Sequence, residues 1–317
     1  MRDDGVQVQD AFRHEAEQSY GSGFSQGALV FSEGEGVTRG VMDSRVLYNE
    51  DCLLTMSRFA DGCIDLTVTS PPYNVDLGNN KFNKDSYDVY DDARDYEEYL
   101  NWLERVFTEV YRITADGGRL VINIGDGQNG ARPTHAHLIT RLCSRGWGYY
   151  GTIVWDKSNV SSRTAWGSFA SPSCPSFPCP FEYVLVFYKG SRRLRGGGSR
   201  VIPKDRFVES AYALWRFAGT SQGQGFGTSW LGDAVSGHPA TFPLELPRRC
   251  IEMLTWEGSM VYDPFMGSGT TALASELCGC RWVGSELSSE YCRLAEVRLM
   301  EYGLEYPQLG IGVVEIR

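Results

Sequence analysis

The chain has 317 residues, of which 42% are hydrophobic and 22% charged, which excludes wholesale disorder and suffices for one large α/β domain with an accessory lobe. No run approaches the ~18 apolar residues of a membrane helix, and the amino terminus lacks a basic start followed by an apolar core. A cytoplasmic protein with no membrane partner is therefore expected, and nine cysteines without a C-x-x-C pair fit reduced thiols better than a disulfide framework. The net charge of −10 would disfavour nucleic acid if it were evenly spread, but residues 1–43 alone hold eight acidic residues against three arginines.

That acidic stretch, rich in Gly, Ser and Gln, reads as a mostly disordered tail with a short helix near residues 11–18. From residue 44 short apolar runs alternate with amphipathic stretches. The pattern predicts strands at 46–48 and 64–69, a helix over 96–113, a strand at 119–124, a helix over 135–143, and strands at 150–155 and 183–188. In the first long helix Leu100, Leu103, Phe107, Val110 and Tyr111 recur at three- and four-residue spacing, and Asp116-Gly117-Gly118 is expected to stop it. After Lys189 the alternation breaks into a Gly-, Ser- and Arg-rich stretch. It resumes with a helix over 244–255, a strand at 259–262, a helix over 270–277, a strand at 281–285 and a helix over 289–301. The chain thus divides into a tail (1–43), a first part of the main domain (44–189), an insertion (190–232) and a second part returning to the same sheet (233–317).

Two segments carry chemistry. Asp263-Pro264-Phe265-Met266-Gly267-Ser268-Gly269-Thr270-Thr271 follows a strand and opens a helix, where glycines let backbone amides approach a ligand. Glu286 ends the next strand, where a carboxylate can accept hydrogen bonds from both hydroxyls of a ribose. The loop has neither the Lys of a GK[ST] motif nor a third glycine, so an adenosine ligand without pyrophosphate fits it best. Upstream, Thr69-Ser70-Pro71-Pro72-Tyr73-Asn74 ends another strand. Two prolines lock the backbone without offering N–H groups, leaving the carbonyls around Ser70 and Pro71 beside an aromatic ring, a set suited to a planar base with an exocyclic amine.

TSPPYN followed much later by DPFMGSGTT resembles the amino-group DNA methyltransferases, which methylate N4 of cytosine or N6 of adenine with S-adenosylmethionine. The catalytic motif precedes the cofactor motif, as in their permuted β group. Tyr48-Asn49-Glu50-Asp51-Cys52, FEYVLVFYKG and GHPATFPLELPRRCIEML add to the likeness, which spans roughly residues 45–300. The resemblance implies a seven-stranded, mostly parallel, doubly wound α/β sheet with a small target-recognition insertion. It places Asp51 near the cofactor adenine, Phe265 against that ring and Glu286 on the ribose, with Cys52 and Leu287 also binding the cofactor. Thr69, Asp263, Pro264, Gly267, Ser268, Gly269 and Thr270 surround the methionine part, closed by His238, Thr241 and Phe242. Ser70, Pro71, Pro72 and Tyr73 are the catalytic set, with Ser70 Oγ and the Pro71 carbonyl accepting the amine hydrogens and Tyr73 stacking on a base extruded from the duplex.

Residues 191–206 hold Arg192, Arg193, Arg195, Arg200, Lys204 and Arg206 against a single acid, Asp205, an electrostatic footprint that reads as the DNA contact. The loop over 74–92, with Lys81 and Lys84, is expected to fold over the base. Ser at position 70 resembles the N4-cytosine form, and N6-adenine methylation is the alternative; an RNA or protein amide methyltransferase and a non-enzymatic DNA binder are more distant. Carbon-5 methylation through Cys179 is rejected, because Phe177–Pro180 is expected to lie far from TSPPYN. Cys174 and Cys179 lack two further zinc ligands, so no metal is expected. Double-stranded DNA is the expected partner, for a monomer or homodimer, with a cognate restriction endonuclease encoded separately.

Overall fold

The structure is a computed structural model describing residues 43–74, 94–127, 130–157, 167–177, 179–196, 198–219, 242–305 and 314–317. The acidic tail, apart from Asp43, and the 75–93 loop lie outside these residues. In chain order the elements are β1 (Val46–Tyr48), α1 (Cys52–Ser57), β2 (Ile64–Thr69), α2 (Tyr96–Ile113), β3 (Thr114–Ile124), α3 (Thr134–Ser144), β4 (Gly148–Asp156) and β5 (Phe181–Tyr188). They continue with α4 (Lys204–Ala211), β6 (Leu214–Arg216), α5 (Glu245–Leu254), β7 (Met260–Asp263), α6 (Thr270–Leu277), β8 (Arg281–Ser285), α7 (Ser289–Glu305) and β9 (Glu315–Ile316).

The nine strands among the described residues form one sheet in the order β6-β4-β5-β3-β2-β7-β8-β1-β9. Seven of them are the strands the alternation predicts. The short β6 and β9 extend the edges and carry too little sequence to show a period. Neighbours run parallel except at β5, which is antiparallel to both β3 and β4.

Successive side chains on the central strands face opposite layers, as a pleated strand requires. Leu120, Ile122, Ile124, Leu185 and Phe187 pack with α1, α2 and α3, whereas Val121, Val184, Val186 and Val261 pack with α5, α6 and α7. Helix α2 starts at Asp95, whose side chain accepts hydrogen bonds from Glu97 N and Glu98 N, and it buries seven residues on one face. It does not run to the glycines. Thr114 is already extended and caps the helix through Oγ1 to the Val110 carbonyl at 2.6 Å, so Asp116-Gly117-Gly118 belongs to β3 instead. A Cβ on Gly118 would stand 2.7 Å from Thr114 Cγ2 and 2.9 Å from the Asp65 carbonyl, which explains a glycine inside a buried strand.

Candidate active site

The two sequence motifs meet because β2 and β7 are neighbours. Thr69 Oγ1 at the end of β2 donates to Asp263 Oδ1 at 2.6 Å, and Thr271 Oγ1 donates to Asp263 Oδ2 at 2.6 Å. The Phe265 amide adds a third donor at 2.9 Å. Asp263 is thus a buried clamp between the strand that ends in Ser70 and the glycine loop, not a group presented to a ligand. Burial pushes its carboxyl up to about 6, against the three donors that favour the ionised form.

Between pH ~4 and ~6 the folded protein therefore keeps a proton that the unfolded chain has released, so this stabilisation is complete below ~4 and lost as pH rises through about 6. The slope in that window is about −1.4 kcal/mol per pH unit. Denaturant titrations of wild type and Asp263→Asn across this range should differ by that slope. Parallel curves would assign the pH dependence elsewhere.

The loop after β7 turns into α6 at Gly269, whose φ of 82° is left-handed and whose absent Cβ would meet Ala295 Cβ at 2.9 Å. Glu286, just beyond β8, accepts from Gly267 N at 2.8 Å and Ser288 N at 2.9 Å, so the carboxylate expected on a ribose also braces the glycine loop. Asn49, after β1, donates to the carbonyls of Glu286 and Leu287, which brings the Asp51 region to the same corner. Asp51 caps α1 through Leu53 N, and Leu287 is exposed beside it. Cys52 is buried, and burial pushes its thiol up to about 12, so it acts as packing rather than as an exposed ligand group. Phe265 is half-buried against Trp102 with ring centroids 5.4 Å apart, and Arg94 covers the other ring. Phe242 packs on the core, and His238 and Thr241 lie outside the described residues.

A residue invisible to motif reading supports the loop from behind. Arg298 of α7 donates to the Ser268 carbonyl at 3.2 Å and to Thr270 Oγ1 at 3.0 Å. Desolvation pushes its guanidinium down to about 10.

At the target end Ser70 Oγ lies 3.0 Å from Tyr73 Oη and donates to the Asn123 carbonyl at 3.2 Å, leaving its lone pairs to accept. Tyr73 Oη donates to Glu182 Oε2 at 3.0 Å, and Asn123 Nδ2 donates to both Tyr73 Oη and Glu182 Oε2. Lys157 pairs with the other oxygen of Glu182. The Pro72 carbonyl is taken by Tyr99 Oη at 2.7 Å, so Pro72 is scaffold and the acceptors left to the site are Ser70 and Pro71. Asn123, Lys157 and Glu182 escape sequence reading because they come from β3, the end of β4 and β5 in turn. Only the Glu of FEYVLVFYKG, a charge inside a buried strand, was a visible signal.

Two expectations are corrected by the direction of β5. The stretch containing Cys179 is not remote, since Asp156 pairs with Phe181 and places the β4–β5 connection at the same end of the sheet as Ser70. The Cys179 Sγ lies against Gly130 and the Phe177 carbonyl. Conversely, Tyr183 pairs with Ile124 at the end of β3 and Tyr188 with Arg119 five residues earlier, so the chain leaves β5 toward the opposite end. Arg192, Arg193, Arg195 and Arg200 therefore lie away from the catalytic face. Arg195 pairs with Asp116, Arg192 stacks over Tyr150, and Arg200 donates to the carbonyls of Thr255 and Cys278. Arg206 is held by Glu245 and Glu252 of α5, and Lys204 begins α4 exposed. Six cations adjacent in sequence are thus a lower rim and an inter-helix ion-pair network, and the DNA-contact reading drawn from their charge does not fit where they stand.

Among the described residues no helix is long and apolar enough to cross a membrane. The sequence matches the N6_N4_Mtase family, described as DNA methylase, over residues 64–297. It is 31% identical over 271 residues to the type II methyltransferase M.MthZI of Methanothermobacter thermautotrophicus, covering 78% of this chain and 74% of that protein. It is 38% identical over 161 residues to the type II methyltransferase M.MjaVI of Methanocaldococcus jannaschii, covering 50% of this chain and 79% of that one. Among solved structures, the Thermus thermophilus protein TTHA0409 complexed with S-adenosyl-L-methionine superposes with a TM-score of 0.62 at 25% identity, covering 86% of this chain and 99% of that one. The cytosine-N4-specific PvuII DNA methyltransferase has the same fold, with a TM-score of 0.62 at 20% identity over 86% of this chain and 97% of that one. With the strand ending at Thr69 and the glycine loop clamped together by Asp263 and the family match spanning both, the chain belongs to the N6/N4 DNA methylase family.

Proposed function

We propose that this protein is a permuted, S-adenosylmethionine-dependent DNA methyltransferase that methylates the N4 amine of a cytosine extruded from duplex DNA. The observation that supports it is the junction of β2 and β7, where the Thr69–Asp263 hydrogen bond ties the strand that runs into Ser70 and Pro71, two neutral acceptors, to the strand that opens the glycine loop. The loop fits the cofactor: Gly269 is left-handed at the start of α6, and Glu286 stands at the next strand end. When bound, S-adenosylmethionine supplies an electrophilic sulfonium methyl group. The exocyclic amine is conjugated with its ring and a poor nucleophile, so Ser70 and Pro71 accept its hydrogens and localise the lone pair toward the methyl. No strong base is needed before attack, because the proton leaves as or after the methyl arrives. Tyr73 stacks on the base, offsetting an extrusion cost of a few kcal/mol. Alignment supplies part of the ~7–11 kcal/mol available from proximity.

Serine at position 70 favours cytosine, and N6-adenine methylation is the second reading. Incubation with methyl-labelled cofactor and duplex DNA, then digestion to nucleosides, should return label in N4-methylcytosine. Label in N6-methyladenine selects the second reading, and label only in RNA or protein overturns both. The type II names of two relatives support a restriction-modification setting; a separately encoded endonuclease and work as a monomer or homodimer in the cytoplasm are part of the proposal.

The relocation of the basic stretch has its own test. Replacing Arg192, Arg193 and Arg195 together by Ala should leave DNA affinity and its salt dependence unchanged. Were they phosphate contacts, the log–log slope would fall by ~0.9 for each one lost.

A further inference from the structure

Beyond Lys157, the β4–β5 connection has no role in the reaction described above, yet topology brings it to the end of the sheet that bears Ser70. Asp156 pairs with Phe181 and Ile124 with Tyr183, so residues 157–180 leave and re-enter the sheet at the end bearing Ser70 and Tyr73. In a chain of net charge −10 these residues include Lys157, Arg163 and many serines, and no Asp or Glu. Part of the segment is built rather than loose. Ser168 N donates to the Cys174 carbonyl at 2.8 Å, Cys174 N to Ser168 Oγ at 2.8 Å, and Ser168 Oγ to the Ser171 carbonyl at 2.8 Å. From this frame Phe169 and Phe177 each stand 79% exposed, the most exposed aromatic side chains among the described residues. The end of the segment leads into the site. Cys179 lies against Gly130, Phe181 meets Tyr183 edge-on, Tyr183 stacks on His135 at 3.8 Å, and the intervening Glu182 holds Tyr73.

We propose that residues 167–177 and 179–181 are a duplex-DNA contact surface, in which Phe169 and Phe177 pack on bases or sugars beside the extruded target; this rests on the DNA methyltransferase reading. Extrusion unstacks the neighbours of the target and leaves its partner base unpaired, and apolar rings presented on a firm loop are the complement of those freed base faces. Serine hydroxyls can donate to phosphate oxygens, and the lack of carboxylates removes the repulsion that the rest of this acidic chain would exert.

The test is the Phe169→Ala/Phe177→Ala double variant of the full chain, titrated with fluorescent duplex DNA containing the methylated site at several salt concentrations. Affinity should fall on the order of ten-fold or more. The salt slope should stay unchanged because no phosphate contact is lost, and cofactor affinity and melting temperature should match wild type. Trp at both positions should restore binding, and Leu should not. Wild-type DNA affinity in the double variant, with wild type methylating DNA, overturns the proposal alone. A wild type that dimerises through these rings, with the double variant monomeric and its DNA affinity intact, assigns the surface to a second copy and overturns it too. A wild type that methylates no DNA overturns the parent reading and this one together.

Discussion

Tyr73→Ala is expected to slow single-turnover methyl transfer by roughly 5- to 150-fold, the rate equivalent of losing a base–aromatic stack of ~1–3 kcal/mol in the transition state, while cofactor affinity stays nearly intact. The hydroxyl network divides this effect in two. Tyr73→Phe keeps the ring but takes a donor from the buried Glu182 and a neighbour from Ser70. Leaving a buried charged acceptor short of a partner costs ~1–3 kcal/mol, read as a lower melting temperature or as Ser70 out of position. Tyr73→Trp restores the ring without the hydroxyl and should fall between Phe and Ala. If Tyr73→Ala methylates DNA at the wild-type single-turnover rate, the stacking role fails and Pro-Pro-Tyr becomes a rigid turn anchored by Tyr99 and Glu182.

Glu286→Ala should weaken S-adenosylmethionine binding by ~1.5–3 kcal/mol, about 10- to 150-fold, through loss of hydrogen bonds from the ribose to a charged acceptor. The same substitution strips the Gly267 and Ser288 amides of their acceptor, so part of the loss comes from a loosened loop. Glu286→Gln retains one carbonyl oxygen and should lie between wild type and Ala. Titration calorimetry measures both variants. Unchanged affinity in a folded Glu286→Ala protein would mean the carboxylate only braces the loop.

Much of the fold was legible because it is written in local periods. The strands at Ile64–Thr69 and Arg281–Ser285 and the helices at Tyr96–Ile113 and Thr270–Leu277 match their predicted bounds. Each is a run whose apolar spacing has one interpretation. Elsewhere local cues misled or were too brief: the glycine pair after α2 is a close approach of two strands, and α1, α4, β6 and β9 are short. The TSPPYN and DPFMGSGTT segments stood out for a different reason, since each is contiguous and sits at a strand end whose geometry depends on its own backbone.

What the sequence alone determined is therefore the class of sheet, the two motifs and the ligand chemistry each can serve, all properties of short contiguous segments. Tertiary structure decided which residues share a surface. Asp263 reads as the first residue of a ligand loop and proves to be the buried clamp between β2 and β7. Glu182 joins Asn123 at Tyr73, with Lys157 behind it, only because β5 inserts between β3 and β4. Above all, the direction of β5 inverts the inference from charge: the arginine-rich stretch after it leaves at the far end, while the acid-free connection before it opens on the catalytic face. A strand's side-chain period is set by its own residues, but its direction is set by the partners it pairs with, and no local pattern encodes that choice.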